Sequence, residues 1–214
     1  MRPRDEYRLG LWKEQMPVHL LWYCLHPAKR SNISLGLPTW TWASTMSSVL
    51  FGGRFGDPRS VTKSACKGIQ FDKASKTLTI RGTIKRIPRL ALPAATVDGK
   101  HIMSEEVLAP LHDLHGSPPA SQKRYILADN GAVIGWAFID EIDAPSTGLR
   151  CLQLMSQRIS AKKRGEKRPL YHEWVLLLPG SEDEIGRFQR IGMGVITTEE
   201  PWFEDQAKTQ VYLG

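Results

Sequence analysis

Apolar and polar positions change period along this chain. Between residues 5 and 26 the apolar ones recur at helical spacing: Leu9, Trp12 and Met16, then Val18, Leu21, Trp22 and Leu25. Asp5 is placed to cap a first segment. Pro17 is placed to open a second, because a first-turn N–H is unpaired anyway, and Pro27 stands just past its end. The spacing predicts two short helices within a helical N-terminal segment, residues 1–30.

The stretch Leu37 to Phe51 follows, centred on Pro38-Thr39-Trp40-Thr41-Trp42-Ala43-Ser44. Extended backbone there would point Trp40 and Trp42 to one face, since side chains alternate along a strand. The small residues around them allow close approach of other backbone. The expectation is a tryptophan anchor that holds the N-terminal segment to a β-rich body, residues 37–214.

Period-two alternation dominates that body. Ile69 and Phe71 alternate with polar neighbours, Asp72-Lys73-Ala74-Ser75 turns the chain, and Leu78, Ile80 and Ile84 mark an inward face. Thr77, Thr79, Arg81, Thr83 and Lys85 are expected to face out. Ile87 breaks the parity, which predicts a bulge near Gly82 or Lys85-Arg86. Asn130-Gly131 between apolar runs predicts a tight hairpin with positive φ at both turn residues. Ile134, Trp136 and Phe138 lie on one face of its second strand and Val133, Ala137 and Ile139 on the other, as in the interior of a sandwich or barrel.

Further strands are expected at Cys151–Met155, at Trp174-Val175-Leu176-Leu177-Leu178 and from Phe188 through Ile196, the last bent at Gly192 and Gly194. Thr198 and Pro201 predict a short C-terminal helix carrying Trp202 and Phe203. Prolines 88, 93, 110, 118 and 119 argue against long regular elements over 88–122. The fold class is one α+β, mainly β domain spanning 1–214. Short N-terminal helices pack on an antiparallel sandwich or partly open barrel of about seven strands, with excursions at 88–122 and 158–169. Trp12, Trp22, Trp40, Trp42, Trp136 and Trp174 are its expected structural anchors.

Composition changes this picture little. A chain of 214 residues with 41% hydrophobic and 24% charged side chains can own a core without disulfides or metals. Cys24, Cys66 and Cys151 are too widely spaced for a zinc pattern or a disulfide framework, which suits a reducing, cytoplasmic setting. No signal-peptide pattern opens the chain, and no run reaches the roughly 18 apolar residues of a membrane span.

Charge adds one candidate interaction site. Arg158, Lys162, Lys163, Arg164, Lys167 and Arg168 are opposed only by Glu166, so residues 158–168 carry most of the net charge of +7. Gly165 and Pro169 and the lack of an aromatic for base stacking favour a solvated loop between two strands. Nucleic acid or an acidic partner is the functional alternative.

Candidate chemistry is sparse. Cys24 and His26 sit at i and i+2, which do not face each other on a helix. His112 and His115 could share a helical face, but no third metal ligand accompanies them. Gly52-Gly53-x-x-Gly56 lacks the Gly-Lys-Ser/Thr of a phosphate loop, and neither Gly-x-Ser-x-Gly nor His-Glu-x-x-His occurs. The residues predict no enzyme, no cofactor and no metal; an unrecognised enzyme is the remaining alternative class.

Three blocks nevertheless carry a resemblance. Tyr7-Arg8-Leu9-Gly10-Leu11-Trp12, Leu20-Leu21-Trp22-Tyr23 and Pro38-Thr39-Trp40-Thr41-Trp42-Ala43-Ser44 resemble the region just downstream of the HET domain in fungal heterokaryon-incompatibility proteins. That pattern runs Tyr-x-x-Gly-Leu-Trp, Leu-Leu-Trp, Pro-Ser-Trp-Ser-Trp-Ala-Ser, with Thr here for the two serines of the last motif. Arg187-Phe188-Gln189-Arg190-Ile191-Gly192 and Trp202-Phe203 resemble the family's C-terminal end. The resemblance implies a non-catalytic accessory or recognition module in fungal nonself recognition. Its implied partner is a HET domain, in cis or in trans. The family's lethal activity is attributed to that TIR-like domain, which would precede Tyr7, where six residues stand.

Overall fold

The computed structural model describes residues 7–26, 36–45, 47–51, 62–92, 123–141, 143–163 and 166–214. Their strands are β1 (Tyr7–Arg8), β2 (Leu11–Trp12), β3 (Trp22–Cys24), β4 (Val49–Phe51), β5 (Thr62–Ser64), β6 (Lys67–Asp72) and β7 (Thr77–Ala91). Then come β8 (Lys123–Leu127), β9 (Val133–Ile139), β10 (Thr147–Lys163), β11 (Glu166–Leu178), β12 (Gly192–Thr198) and β13 (Lys208–Leu213).

The alternating sequence closes on itself. β7 pairs β8, β8 pairs β9, β9 pairs β12, β12 pairs β11 and β11 pairs β10, all antiparallel. β10 then returns to β7, with Leu149 opposite Ile87 and Leu152 opposite Ile84. The body is thus a closed antiparallel barrel of those six strands, which removes the free edges a sandwich would keep. So narrow a barrel is filled by its own side chains. One core cluster draws Ile87, Ile126, Ala137, Cys151, Val175 and Ile196 from the six staves in turn and is the barrel interior. The other holds the opposite-parity residues, among them Trp136, Leu152, Trp174 and Val195, and lies outside.

The outer face is covered by the chain's own ends. Leu11, Leu20, Leu21, Tyr23 and Trp40 pack onto it, with the Tyr23 ring stacked 4.8 Å from Phe138. β13 and β6 pair the N-terminal half of β7, and Leu78 and Ile80 of β7 with Val211 and Leu213 of β13 join the same layer. Both faces of the central strands are therefore apolar, as the sequence of β9 requires.

Several expectations are corrected. No helix forms between residues 7 and 26; Lys13–Gln15 and Val18–Leu20 are single 3-10 turns, separated by the Met16-Pro17 step. Single turns bury Leu20 and leave Trp22-Tyr23-Cys24 extended and wholly buried, which a helix with one apolar stripe could not do. Trp40 and Trp42 are not on a strand: Trp42–Ser44 is a 3-10 turn, so Trp40 is buried while Trp42 is half-exposed. Trp12 is half-buried too, whereas Trp22, Trp136 and Trp174 are buried as expected.

Ile87 needs no bulge in β7, because the face it turns to is the barrel interior. For the same reason Thr83 is buried and Lys85 half-buried rather than outward. The bulge lies in β6, where Lys67 pairs Arg81 and Gln70 pairs Thr79, with Gly68 at φ +58. Strand β7 runs through Pro88, which stands opposite Gly148 between the Ile87–Leu149 and Arg89–Thr147 pairs. The Asn130-Gly131 hairpin forms, but with positive φ at Gly131 and not at Asn130: the Gly131 N–H bonds Ala128 O at 2.9 Å, a turn followed by a left-handed glycine. The last strand is β13. The segment after Pro201 is a turn rather than a helix.

Residues 158–163 and 166–168 are strand rather than loop. The β10–β11 ladder continues from Arg158–Tyr171 through Ala161–Arg168 and Lys162–Lys167 to Lys163–Glu166. Asp5, Pro27, the Gly52–Pro58 run, the region 93–122 with His112 and His115, and Arg164 lie outside the described residues.

Candidate functional site

Two buried polar groupings and one basic ribbon stand out against this barrel. The first joins the blocks of sequence singled out above. Arg190 follows Phe188, whose N–H bonds Tyr212 O, and precedes Ile191, whose N–H bonds Leu177 O; its side chain is fully buried between the barrel and the N-terminal layer. Its Nε lies 3.1 Å from Asp140 Oδ2, and Nη2 donates to Asp140 Oδ1 at 3.4 Å. Nη1 donates to Leu20 O at 3.0 Å, and Nη2 also reaches Trp22 O. The guanidinium carbon sits 3.4 Å from the centroid of the Trp22 ring. A planar fork of donors is what this arrangement requires, and arginine alone has it.

The same point collects the tryptophan block. Thr39 Oγ1 accepts from the Arg190 N–H at 2.8 Å and donates to Gly214 O at 2.6 Å. Trp22 Nε1 donates to Trp40 O at 3.1 Å, and Trp40 Nε1 to Lys76 O at 3.3 Å. Trp42 Nε1 donates to Gly10 O at 2.9 Å, and Thr41 Oγ1 to Leu9 O. Gly10 has φ +95, and a Cβ there would lie 2.4 Å from Trp42 Nε1. Glycine is thus demanded twice, by conformation and by space.

The second grouping sits at one end of the barrel interior. Glu173 is 1% exposed on β11, at the same parity as Val175 and Leu177. Gln153 Nε2 donates to its Oε2. Burial pushes the Glu173 carboxyl above the usual carboxylate range, against the hydrogen bonds of Gln153, Ser156 and the Trp202 backbone. The turn after β12 folds Phe203 into the interior cluster and lays Trp202 over Lys85, whose Nζ is 4.6 Å from the ring centroid and donates to Trp202 O at 2.6 Å. Cys151, beside them, is buried and its thiol is held strongly protonated by desolvation. This is a carboxyl closed off from solvent by its own neighbours. Among the described residues, no three His, Cys, Asp or Glu side chains lie close enough to hold a metal. Cys24 approaches Thr45 Oγ1 at 3.5 Å, while His26 is exposed.

Of the six sequence-predicted interaction residues, all but Arg164, which lies outside the described residues, are on the β10–β11 ribbon. β12 stops pairing β11 at Tyr171, and β5 stops pairing β10 at Gln157. Among the described residues, Arg158, Lys162 and Lys163 on one strand, with Lys167 and Arg168 on the other, therefore stand on a two-stranded arm beyond those pairings. Arg158 is exposed, and Lys162 occupies the position directly opposite Lys167.

Sequence reading did not single out Asp140, Gln153 or Glu173, nor the role of Arg190. Alternation across Glu173-Trp174-Val175-Leu176-Leu177 carried a signal for the glutamate, since it assigns Glu173 to the face of Val175 and Leu177. Nothing local marks the pairing of Arg190 with Asp140, fifty positions away.

Among the described residues, no helix is long and apolar enough to cross a membrane. No family model, no curated protein and no solved structure matches the chain.

Proposed function

We propose that this chain is a non-catalytic recognition module of the kind that follows the HET domain in fungal heterokaryon-incompatibility proteins, with a HET domain as its partner, in cis or in trans. The observation that carries the reading is the Arg190 junction. Arg190 of the late block bonds Thr39, Leu20 and Trp22 of the early blocks across 151 to 170 positions of sequence, and within the early blocks Trp42 bonds Gly10 across 32. Motifs that meet in space as one buried network act as a folding signature, which suits a scaffold. Three buried charged side chains are engaged in the same way: Arg190 and Asp140 with each other, and Glu173 through Oε2 with Gln153.

The test is an NAD-consumption assay on the purified chain beside induced expression in fungal cells. The module reading expects no turnover and no loss of viability. Turnover abolished by Glu173→Gln would replace it with an enzyme.

A second reading has its own observation, the directly opposed Lys162 and Lys167 on the basic arm. Like charges facing across a ladder cost stability that a polyanion would recover. A two-stranded ribbon also has the width to enter a duplex major groove. Duplex DNA binding that weakens steeply with salt and is lost in Lys162→Gln/Lys167→Gln would favour it; unchanged binding in that variant would remove it.

A further inference from the structure

A groove runs along the outside of the β7–β10 seam, with a volume of about 640 Å³. Its wall holds Arg86 and Arg150, each exposed, directly opposite one another in the antiparallel register. Opposed residues of such a pair have Cα atoms only about 4.5–5.5 Å apart, and like charges at that spacing repel. Among the described residues no carboxylate bonds Arg86. The contact shown for Arg150 is the Phe188 ring, 5.8 Å from its guanidinium carbon. Lys85 also lines the groove, but its ammonium is bonded to Trp202 O. Among the described residues the seam therefore offers two guanidiniums, and its lining holds no acidic side chain.

The floor beside them is bare backbone. Gly148 has φ +67, and a Cβ on Gly180 would lie 2.1 Å from Gly148 O, so Gly180 cannot carry a side chain. Gln206 supplies a neutral amide at the rim. A site of this size, floored by glycine and walled by paired guanidiniums, is suited to a compact dianion with a small organic body attached. Arginine pairs bind phosphate oxygens in a fixed fork geometry, and a phosphate monoester near neutral pH carries up to the two negative charges that two guanidiniums neutralise.

We propose that this groove is a binding site for a phosphate monoester group, held between Arg86 and Arg150. It is separate from the basic arm and from the Arg190 junction, and it stands whether or not the recognition reading does. Binding would relieve the Arg86–Arg150 repulsion and so tighten the seam that closes the barrel.

The probe is inorganic phosphate, titrated into the full chain at constant ionic strength and read by calorimetry and by the thermal midpoint. The expected result is saturable binding with a rise in midpoint. Affinity should fall at least tenfold in Arg86→Gln/Arg150→Gln and be unchanged in Lys162→Gln/Lys167→Gln. Both arginines are exposed and repel one another, so the groove variant should match or exceed the wild-type midpoint without phosphate. If that variant fails to fold, Gly148→Gln, which places a side chain on the floor at a position with nothing within 4 Å, should weaken phosphate instead. Unsaturable heats, full affinity in the folded groove variant, or equal loss in the arm variant would each overturn the proposal. An equal response to succinate would overturn the assignment to phosphate.

Discussion

Replacing Arg190 with methionine should be among the most damaging single changes available to this protein. The substitution keeps an unbranched apolar stem over the Trp22 ring and removes the guanidinium. Asp140, 4% exposed, then keeps a buried charge without the Arg190 guanidinium 3.1 Å away. The carbonyls of Leu20 and Trp22 lose the donors that satisfy them. Breaking a buried ion pair from one side costs about 3–5 kcal/mol, and each carbonyl left unsatisfied adds about 1–3 kcal/mol when it stays dry. These contributions overlap, because water admitted to the gap relieves all of them, so a total of about 4–6 kcal/mol is expected. Against a typical total stability of about 5–15 kcal/mol this is a large share. In urea, with a slope of about 2–3 kcal/mol/M, the midpoint should drop by about 2 M.

The informative experiment is a cycle with Asp140→Asn. The double variant should lie well above the sum of the single losses, with a coupling of about 1–3 kcal/mol, because the asparagine no longer strands a charge. Arg190→Lys should recover little, since one ammonium cannot serve two carbonyls and a carboxylate in a plane. Hydrogen exchange should show residues 20–24 opening first, because their carbonyl anchors are lost. A loss below about 1 kcal/mol in Arg190→Met, or strict additivity with Asp140→Asn, would refute the claim that this arginine joins the two ends of the chain.

Gly10→Ala should cost about 2–3 kcal/mol in denaturant unfolding, through positive φ and overlap with the Trp42 ring, whereas Gly148→Ala, with open space around it, should cost only about 1 kcal/mol. Trp40→Ala should lose about 3–5 kcal/mol and Trp42→Ala clearly less, since Trp40 is fully buried and Trp42 is not. Glu173 has a folded pKa raised above its unfolded value of about 4.5, so its contribution to stability is full below that value and is lost as pH rises through the folded pKa. Glu173→Gln should therefore raise stability at neutral pH relative to wild type and flatten the decline between acid and neutral pH; an unchanged pH profile by thermal unfolding would show the carboxyl to be solvated. Thiol labelling of the native chain near pH 8 should leave Cys151 unmodified until the barrel unfolds, because burial keeps its thiol protonated.

Local pattern was enough for the β character of this protein. Alternation at Ile69–Ile84, the Asn130-Gly131 turn and the two-faced apolar run of β9 each act between neighbours, so their strands could be read one at a time. The tryptophans could be read as anchors for the same reason, their size. What the sequence could not decide depends on who lies opposite whom. Whether β10 closes onto β7 is set by the twist and stagger of all six staves. That closure is also what turns Ile87 from a break in parity into an interior residue. The helical spacing of residues 9–25 was a coincidence: Leu20 to Cys24 are buried from both sides, which only the barrel surface beneath Tyr23 and the Arg190 fork above Trp22 reveal. The basic run misled for the opposite reason: charge and a glycine favour a loop locally, but the ladder register set at Met155 and Trp174, just past a bulge, runs out to Lys163 and Glu166. Arg190, Asp140 and Glu173 were illegible because a buried charge is specified by its partner, and each partner is supplied by a different strand or loop once the barrel has closed.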